Sequence, residues 1–150
     1  MLVIASLADA ASLVGQHLGY SDYLEVTQER VNLFSDATGD HQWIHVDVDR
    51  ATKGPFGGPI AHGYLTLSLG PELLHDVVTW QKIRMGVNYG LNKVRFPGPL
   101  KVGARYRGFA EVTSVTEIKG GFEVHLKATL EVETAERPAV AAESIVRFYA

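Results

Sequence analysis

Two side chains that exchange protons near neutral pH stand close together in the stretch Ser35-Asp36-Ala37-Thr38-Gly39-Asp40-His41-Gln42-Trp43-Ile44-His45, where a carboxylate (Asp40) precedes an imidazole (His45) by five positions. Held in one loop, such a pair can converge on a single small polar molecule such as water. Adding water across an activated double bond needs one group to take a proton from water and another to supply one to carbon. An aspartate and a histidine can share that work, because imidazole titrates near neutrality. Spacing alone leaves a plainer reading open, with Asp40 capping a turn and His45 an ordinary loop histidine. A second stretch, Gly57-Gly58-Pro59-Ile60-Ala61-His62-Gly63, runs into an apolar segment. The first N–H groups of a helix lack internal partners and sit at the positive end of its dipole. The backbone N–H of Gly63 can therefore stabilise a carbonyl oxygen that gains negative charge, and the missing side chain allows close approach. Equally, Gly63 can simply ease a loop into a helix.

The elements that must position these residues are legible in outline. Thr27 is placed to cap a helix running to about Thr38, with Val31, Phe34 and Ala37 on one face and Gly39 as its stop. The loop from Gly39 to Gly63 is rich in Gly, Pro, Asp and His and has room for one helical turn around Asp49 to Lys53. So long an irregular connection in a small domain is more often functional than idle. From Gly63 to about Thr79 the pattern is helical, with Tyr64, Leu65, Leu67, Leu69, Leu73, Leu74, Val77 and Val78 covering most of the circumference. A helix apolar nearly all round belongs in the middle of something, and Gly70-Pro71 is expected to kink or split it.

Beyond residue 80 the period is two. Phe122, Val124, Leu126, Ala128, Leu130 and Val132 alternate with Glu123, His125, Lys127, Thr129, Glu131 and Glu133, which reads as a strand with one buried and one wet face. Tyr106 to Val112 and Val140 to Phe148 repeat the pattern, with a turn at Lys119-Gly120-Gly121. In the strand near Val87 the apolar phase slips around Asn92-Lys93, as a bulge would cause. A weaker strand spans about Gly19 to Val26. The expectation is an α+β architecture: an antiparallel sheet of about five strands covered by the long apolar helix.

Composition narrows the function classes. A chain of 150 residues with no linker or repeat reads as one domain, 1–150. Fourteen basic against 17 acidic residues, net charge −3, with no dense Lys/Arg run, argues against nucleic-acid binding. The chain has no cysteine, hence no disulfide, thiolate metal site or cysteine nucleophile. The apolar start is broken by Asp9 and has no basic residue before Arg30, so no secretory signal is expected and the reading is cytoplasmic. No apolar run is long enough to span a membrane. Asp47 and Asp49 fit caps of the short turn better than metal ligands, so no metal is expected. Ser68 lacks the strand–turn–helix setting of a hydrolase nucleophile, and Lys82, Arg84 and Lys93 read as solvated surface charge.

Gly39-Asp40-His41-Gln42-Trp43-Ile44-His45-Val46-Asp47, followed by Pro59-Ile60-Ala61-His62-Gly63-Tyr64-Leu65, resembles the MaoC-like (R)-specific enoyl-CoA hydratases and dehydratases. Asn88-Tyr89-Gly90-Leu91-Asn92-Lys93-Val94-Arg95-Phe96 is similar to the nodulation-protein-N-like branch of that family. The resemblance implies a hot-dog fold, a homodimer, and a substrate tunnel at or near the subunit interface. It also implies that Asp40 and His45 hold the reacting water and that Gly63 supplies the oxyanion donor. His62 is placed to orient the loop or line the substrate site, with a hydrogen-bonded structural role as the alternative, and Asn88 and Tyr89 are candidates to contact the thioester arm, with core packing as the alternative. An acyl thioester of coenzyme A or a carrier would be substrate, with no prosthetic group. Gln42-Trp43 departs from the Asn-Pro of many members, which bears on loop shape and substrate preference. Two alternatives stand beside the hydro-lyase reading: a hot-dog acyl-CoA thioesterase, and a non-catalytic acyl-CoA-binding partner subunit.

Overall fold

The structure, a computed structural model, describes residues 1–150. Its main sheet is antiparallel and built from the second half of the chain. Strand β6 (Arg105–Ile118) turns through Gly120, at φ 81°, into β7 (Gly121–Val132), and β7 pairs with β8 (Val140–Tyr149). Strand β5 (Met85–Arg95) closes one edge on β8, and the other edge is shared by two short strands, β2 (His17–Tyr20) and β3 (Leu24–Glu25), both on β6. The expected strand over 19–26 is thus two pieces at one sheet position, and the sheet is five positions wide. The slip in β5 is real, with register shifts between Asn88 and Gly90 and between Leu91 and Lys93.

The alternation along β7 sets which face is covered. Phe122, Val124, Leu126, Leu130 and Val132 are buried, and the even-numbered residues of β6 from Tyr106 to Val112 lie on the same side. Two short helices fill the concavity: α5 (Gly63–Ser68) and α6 (Gly70–His75), divided at Gly70-Pro71 as Pro71 requires. Leu65 and Leu73 from these helices, with Leu69 at their junction, join Val31, Leu100, Tyr106, Leu130 and Val140 in one core cluster. A sheet curled around a central helix is the α+β hot-dog arrangement.

Two expectations are corrected. The helical run ends at His75 rather than about Thr79, because Val78–Trp80 form β4, paired in parallel with β1 (Leu2–Ile4). Periodicity cannot separate a short buried strand from a helix end, and here the partner strand decides. Nor is the helix buried all round: Tyr64 is 73% exposed.

The first half supplies the loops above this core. Helix α1 (Leu7–Ser12) packs against β6. Helix α2 (Gln28–Thr38) begins where Thr27 Oγ1 accepts from the Arg30 N–H at 3.2 Å and ends at Gly39, φ 78°. Its buried positions are Val31 and Ser35, whereas Ala37 is exposed. Then come α3 (Trp43–Val46), absent from the sequence reading, and the expected turn, α4 (Val48–Thr52), capped by Asp47 through Arg50 N at 3.1 Å. No helix is long and apolar enough to cross a membrane.

Candidate active site

His45 lies on α3, a helix of four residues, 5% exposed and turned inward. Its Nδ1 is 2.7 Å from the carbonyl oxygen of Ile60. A carbonyl only accepts, so Nδ1 carries a proton, and the ring in its neutral form presents a lone pair at Nε2. Two further bonds fix α3: Gln28 Nε2 donates to the His45 carbonyl at 2.8 Å, and the Ile60 N–H donates to the Ile44 carbonyl at 3.0 Å. Asp40 follows the left-handed Gly39 and is exposed. Its Oδ1 accepts from the Gln42 N–H at 3.3 Å, an Asx-type turn.

His62 lies directly beside both. Its ring stacks on that of His45 with centroids 3.8 Å apart, and its Nε2 is 3.0 Å from the Asp40 carbonyl oxygen and 3.1 Å from Ser35 Oγ. One ligand-type atom from each of Asp40, His45 and His62 lies within 4.8 Å of the others. A cation would find one carboxylate and two imidazoles here. The rings are nearly parallel, 27° apart, and one nitrogen of each is already engaged, His45 Nδ1 with the Ile60 carbonyl and His62 Nε2 with the Asp40 carbonyl. A carboxylate oxygen and a ring nitrogen at such a separation suit a water that donates one hydrogen to each, since two bonds of about 2.8 Å span roughly 4.5 Å.

Gly63 follows His62 as the first residue of α5. The first bond inside that helix runs from Thr66 N to His62 O at 2.9 Å, which leaves the N–H groups of Gly63, Tyr64 and Leu65 outside the helical ladder. A Cβ at Gly63 would lie 3.2 Å from the ring of Phe96, so even the smallest side chain crowds this corner. Gly63 and Phe96 line a cavity of about 250 Å³ together with Ile60, Ala61 and Thr66. A larger cavity of about 430 Å³ runs between α5, α6 and the sheet, and Thr66 borders both.

The structure therefore groups Asp40, His45, His62 and Gly63, and places Asn88 and Tyr89 apart from them on β5, along the larger cavity. Asn88 is in register with Val146 on the helix side. The Tyr89 ring carries the guanidinium of Arg147 at 3.4 Å, and Arg147 continues to Glu123 Oε2 at 2.8 Å. Sequence reading missed Ile60, Gln28 and Ser35 as supports. Ile60 contributes only its carbonyl, which no residue type announces, whereas a serine on the apolar face of α2 was a visible signal.

The hot-dog sheet around a central helix, together with the matches that follow, makes this a hydratase–dehydratase type of enzyme. The MaoC like domain family matches residues 9–136, and the chain belongs to that family. It is 50% identical to 3-hydroxyacyl-thioester dehydratase Z of Mycobacterium tuberculosis, with all of both chains covered. It is 45% identical to Nodulation protein N of Rhizobium leguminosarum bv. viciae, covering 95% of this chain and 92% of the relative. Among solved structures, the (R)-hydratase from A. caviae superposes with a TM-score of 0.71 at 25% identity, covering 89% of this chain and 94% of that one.

Proposed function

We propose that the chain, acting as one hot-dog domain over residues 1–150, catalyses the reversible hydration of a trans-2-enoyl thioester to the (R)-3-hydroxyacyl thioester. The thioester is carried by coenzyme A or a carrier protein, and no prosthetic group takes part. The observation that carries the reading is the tautomer of His45: with Nδ1–H spent on Ile60, the lone pair at Nε2 is left to accept from a water shared with the Asp40 carboxylate. In hydration the water oxygen bonds to C3 as the pair takes its proton, the C2=C3 electrons move toward the carbonyl, and the thioester oxygen becomes an enolate oxygen. The Gly63 N–H at the positive end of α5 stabilises that oxygen. Collapse of the enolate takes a proton at C2 from the same pair, regenerating the thioester.

The larger cavity, lined on the helix side by Leu67, Leu73 and Leu74, suits an apolar acyl arm. The curated relatives' names, with a dehydratase acting on 3-hydroxyacyl thioesters among them, support the same substrate class. A cytoplasmic homodimer is the working form in this reading. The dimer is supported by β5, eleven residues long and paired only with β8, with Met85, Val87 and Leu91 exposed, an edge of the kind proteins cover.

The test is hydration of crotonyl-CoA by the purified protein, followed as loss of the conjugated absorbance. Asp40→Asn and His45→Gln should each lower kcat about 10²- to 10⁴-fold. Asp40 is exposed, so Asp40→Asn should leave Tm within about 2 °C. Wild-type rates in both variants, or release of free thiol in place of hydration, would overturn the proposal.

A further inference from the structure

We propose that His62 is a positioning residue of this hydratase site, a neutral imidazole that fixes Asp40, His45 and the start of the Gly63 helix relative to one another. The inference rests on the reading of Asp40 and His45 above and adds a residue that acts through them without touching the substrate.

His62 is 2% exposed, held between the rings of Phe34, at 4.8 Å, and His45, at 3.8 Å. Its Nε2 faces the Asp40 carbonyl at 3.0 Å. That oxygen only accepts, so Nε2 is the protonated nitrogen and Ser35 Oγ, at 3.1 Å, shares its hydrogen. Nδ1 is then a bare lone pair, buried and without any partner. An imidazolium would need a second buried N–H with no acceptor and a full charge against the face of His45. The neutral ring avoids both costs. Burial accordingly holds the His62 pKa below its ordinary value, the Asp40 carbonyl working against it; Asp40, His41 and His45 are the titratable groups that face the ring.

Each of the three working parts is fastened to this residue by a different atom. Nε2 holds the Asp40 peptide, whose other anchors are long: Asp40 N to Thr38 Oγ1 at 3.4 Å and Gln42 N to Asp40 Oδ1 at 3.3 Å. The ring face stacks on His45, centroids 3.8 Å apart, while His45 Nδ1 is held by the Ile60 carbonyl. The main-chain carbonyl accepts from both Thr66 N and Thr66 Oγ1, at 2.9 Å each, closing the first turn of α5. Displacing reacting groups by about 1 Å costs on the order of 10²-fold in rate, so the role shows in kcat.

Two substitutions separate ring from donor. His62→Phe keeps an aromatic face between Phe34 and His45 but has no N–H for Asp40; His62→Gln keeps a donor at the reach of Nε2 but no ring. The expected result is a kcat for His62→Phe lowered about 10- to 100-fold with KM within about threefold of wild type, and recovery in His62→Gln to within about fivefold of wild type. Unchanged kcat in His62→Phe, no recovery in His62→Gln, or a loss carried wholly by KM would overturn the assignment. Imidazole ¹⁵N NMR of the wild-type protein gives a readout independent of turnover. It should find His62 neutral and protonated at Nε2 at pH 7, and a charged or Nδ1-protonated ring would end the proposal. Asp40→Asn is assayed in parallel: should it retain full activity, the site reading fails while the NMR result still judges His62.

Discussion

Leu74 and Leu126 border the 430 Å³ cavity on one side and a small, wholly apolar pocket with Ile4, Ala10 and Trp80 on the other. They form its floor. If the acyl arm lies in this cavity, Leu74→Ala lets a longer chain through into the space behind. Leu74 is only partly buried, and it already faces open volume, so no new sealed void forms. The stability cost is about half the transfer term for three carbons at about 0.8 kcal/mol each, or about 1–1.5 kcal/mol. At this chain length that lowers Tm by about 2–5 °C. The gain for a longer acyl chain is up to three methylenes newly buried, about 2.4 kcal/mol, so kcat/KM for the longer chain relative to crotonyl-CoA should rise about 10- to 50-fold. The assay is initial-rate hydration of trans-2-enoyl-CoA substrates of graded length. A ratio that stays flat while Tm falls as calculated would refute the placement of the acyl arm, because the floor would then have moved without any substrate noticing.

Gly108→Ala should destabilise by about 1–3 kcal/mol by thermal melt, because its Cβ would lie 2.9 Å from Leu73 Cδ1 and 3.0 Å from Leu73 Cβ, the latter with no freedom to swing away. Glu123 is held below the ordinary glutamate value of 4.5, first by His125 and then by Arg147. The stability this contributes is fully present above that value and is lost as pH falls through the lower folded pKa, so Glu123→Gln should flatten the fall of Tm with pH below about 4.5. His62 has the opposite origin: its depressed pKa costs nothing above 6.5, and lowers stability as pH drops below it, where the unfolded chain takes up the proton first; His62→Phe should remove that part of the slope.

Local chemistry explains what the sequence disclosed. The bounds of α2 were readable because Thr27 and Gly39 act within one turn of themselves. The inward face of β7 was readable because side-chain direction in a strand alternates without help from the rest of the fold. Asp40 and His45 stood out because both carry proton-transfer groups on one short loop. Contacts between distant segments were not legible. Ala37 has the right spacing for the buried face of α2, yet Ser35 is the residue inside, because the partner its hydroxyl meets, His62 Nε2, is 27 positions away. Val78 and Thr79 continue an apolar pattern that a helix would share, and only Leu2 and Val3 alongside make them a strand. The Ile60 carbonyl that sets the His45 tautomer is invisible in principle, since every residue has one.

The bare edge of β5 and the larger cavity meet on one strand. Asn88, Tyr89, Gly90 and Leu91 line the cavity from the same strand whose far edge has no partner. Whatever covers that edge also finishes the cavity wall, so assembly and substrate binding must be coupled if a second copy of the chain is the cover. Val87 separates the two, since it is exposed on β5, in register with Arg147, and outside the cavity lining. A lysine there brings charge against charge across a self-paired edge without touching the acyl arm. Val87→Lys should shift the mass by light scattering from dimer toward monomer. It should also lower kcat/KM for longer enoyl thioesters in step with the monomer fraction, with activity recovering as protein concentration rises. A dimeric Val87→Lys would place the interface elsewhere. A fully active monomer would show that one copy of the chain already holds everything the reaction needs.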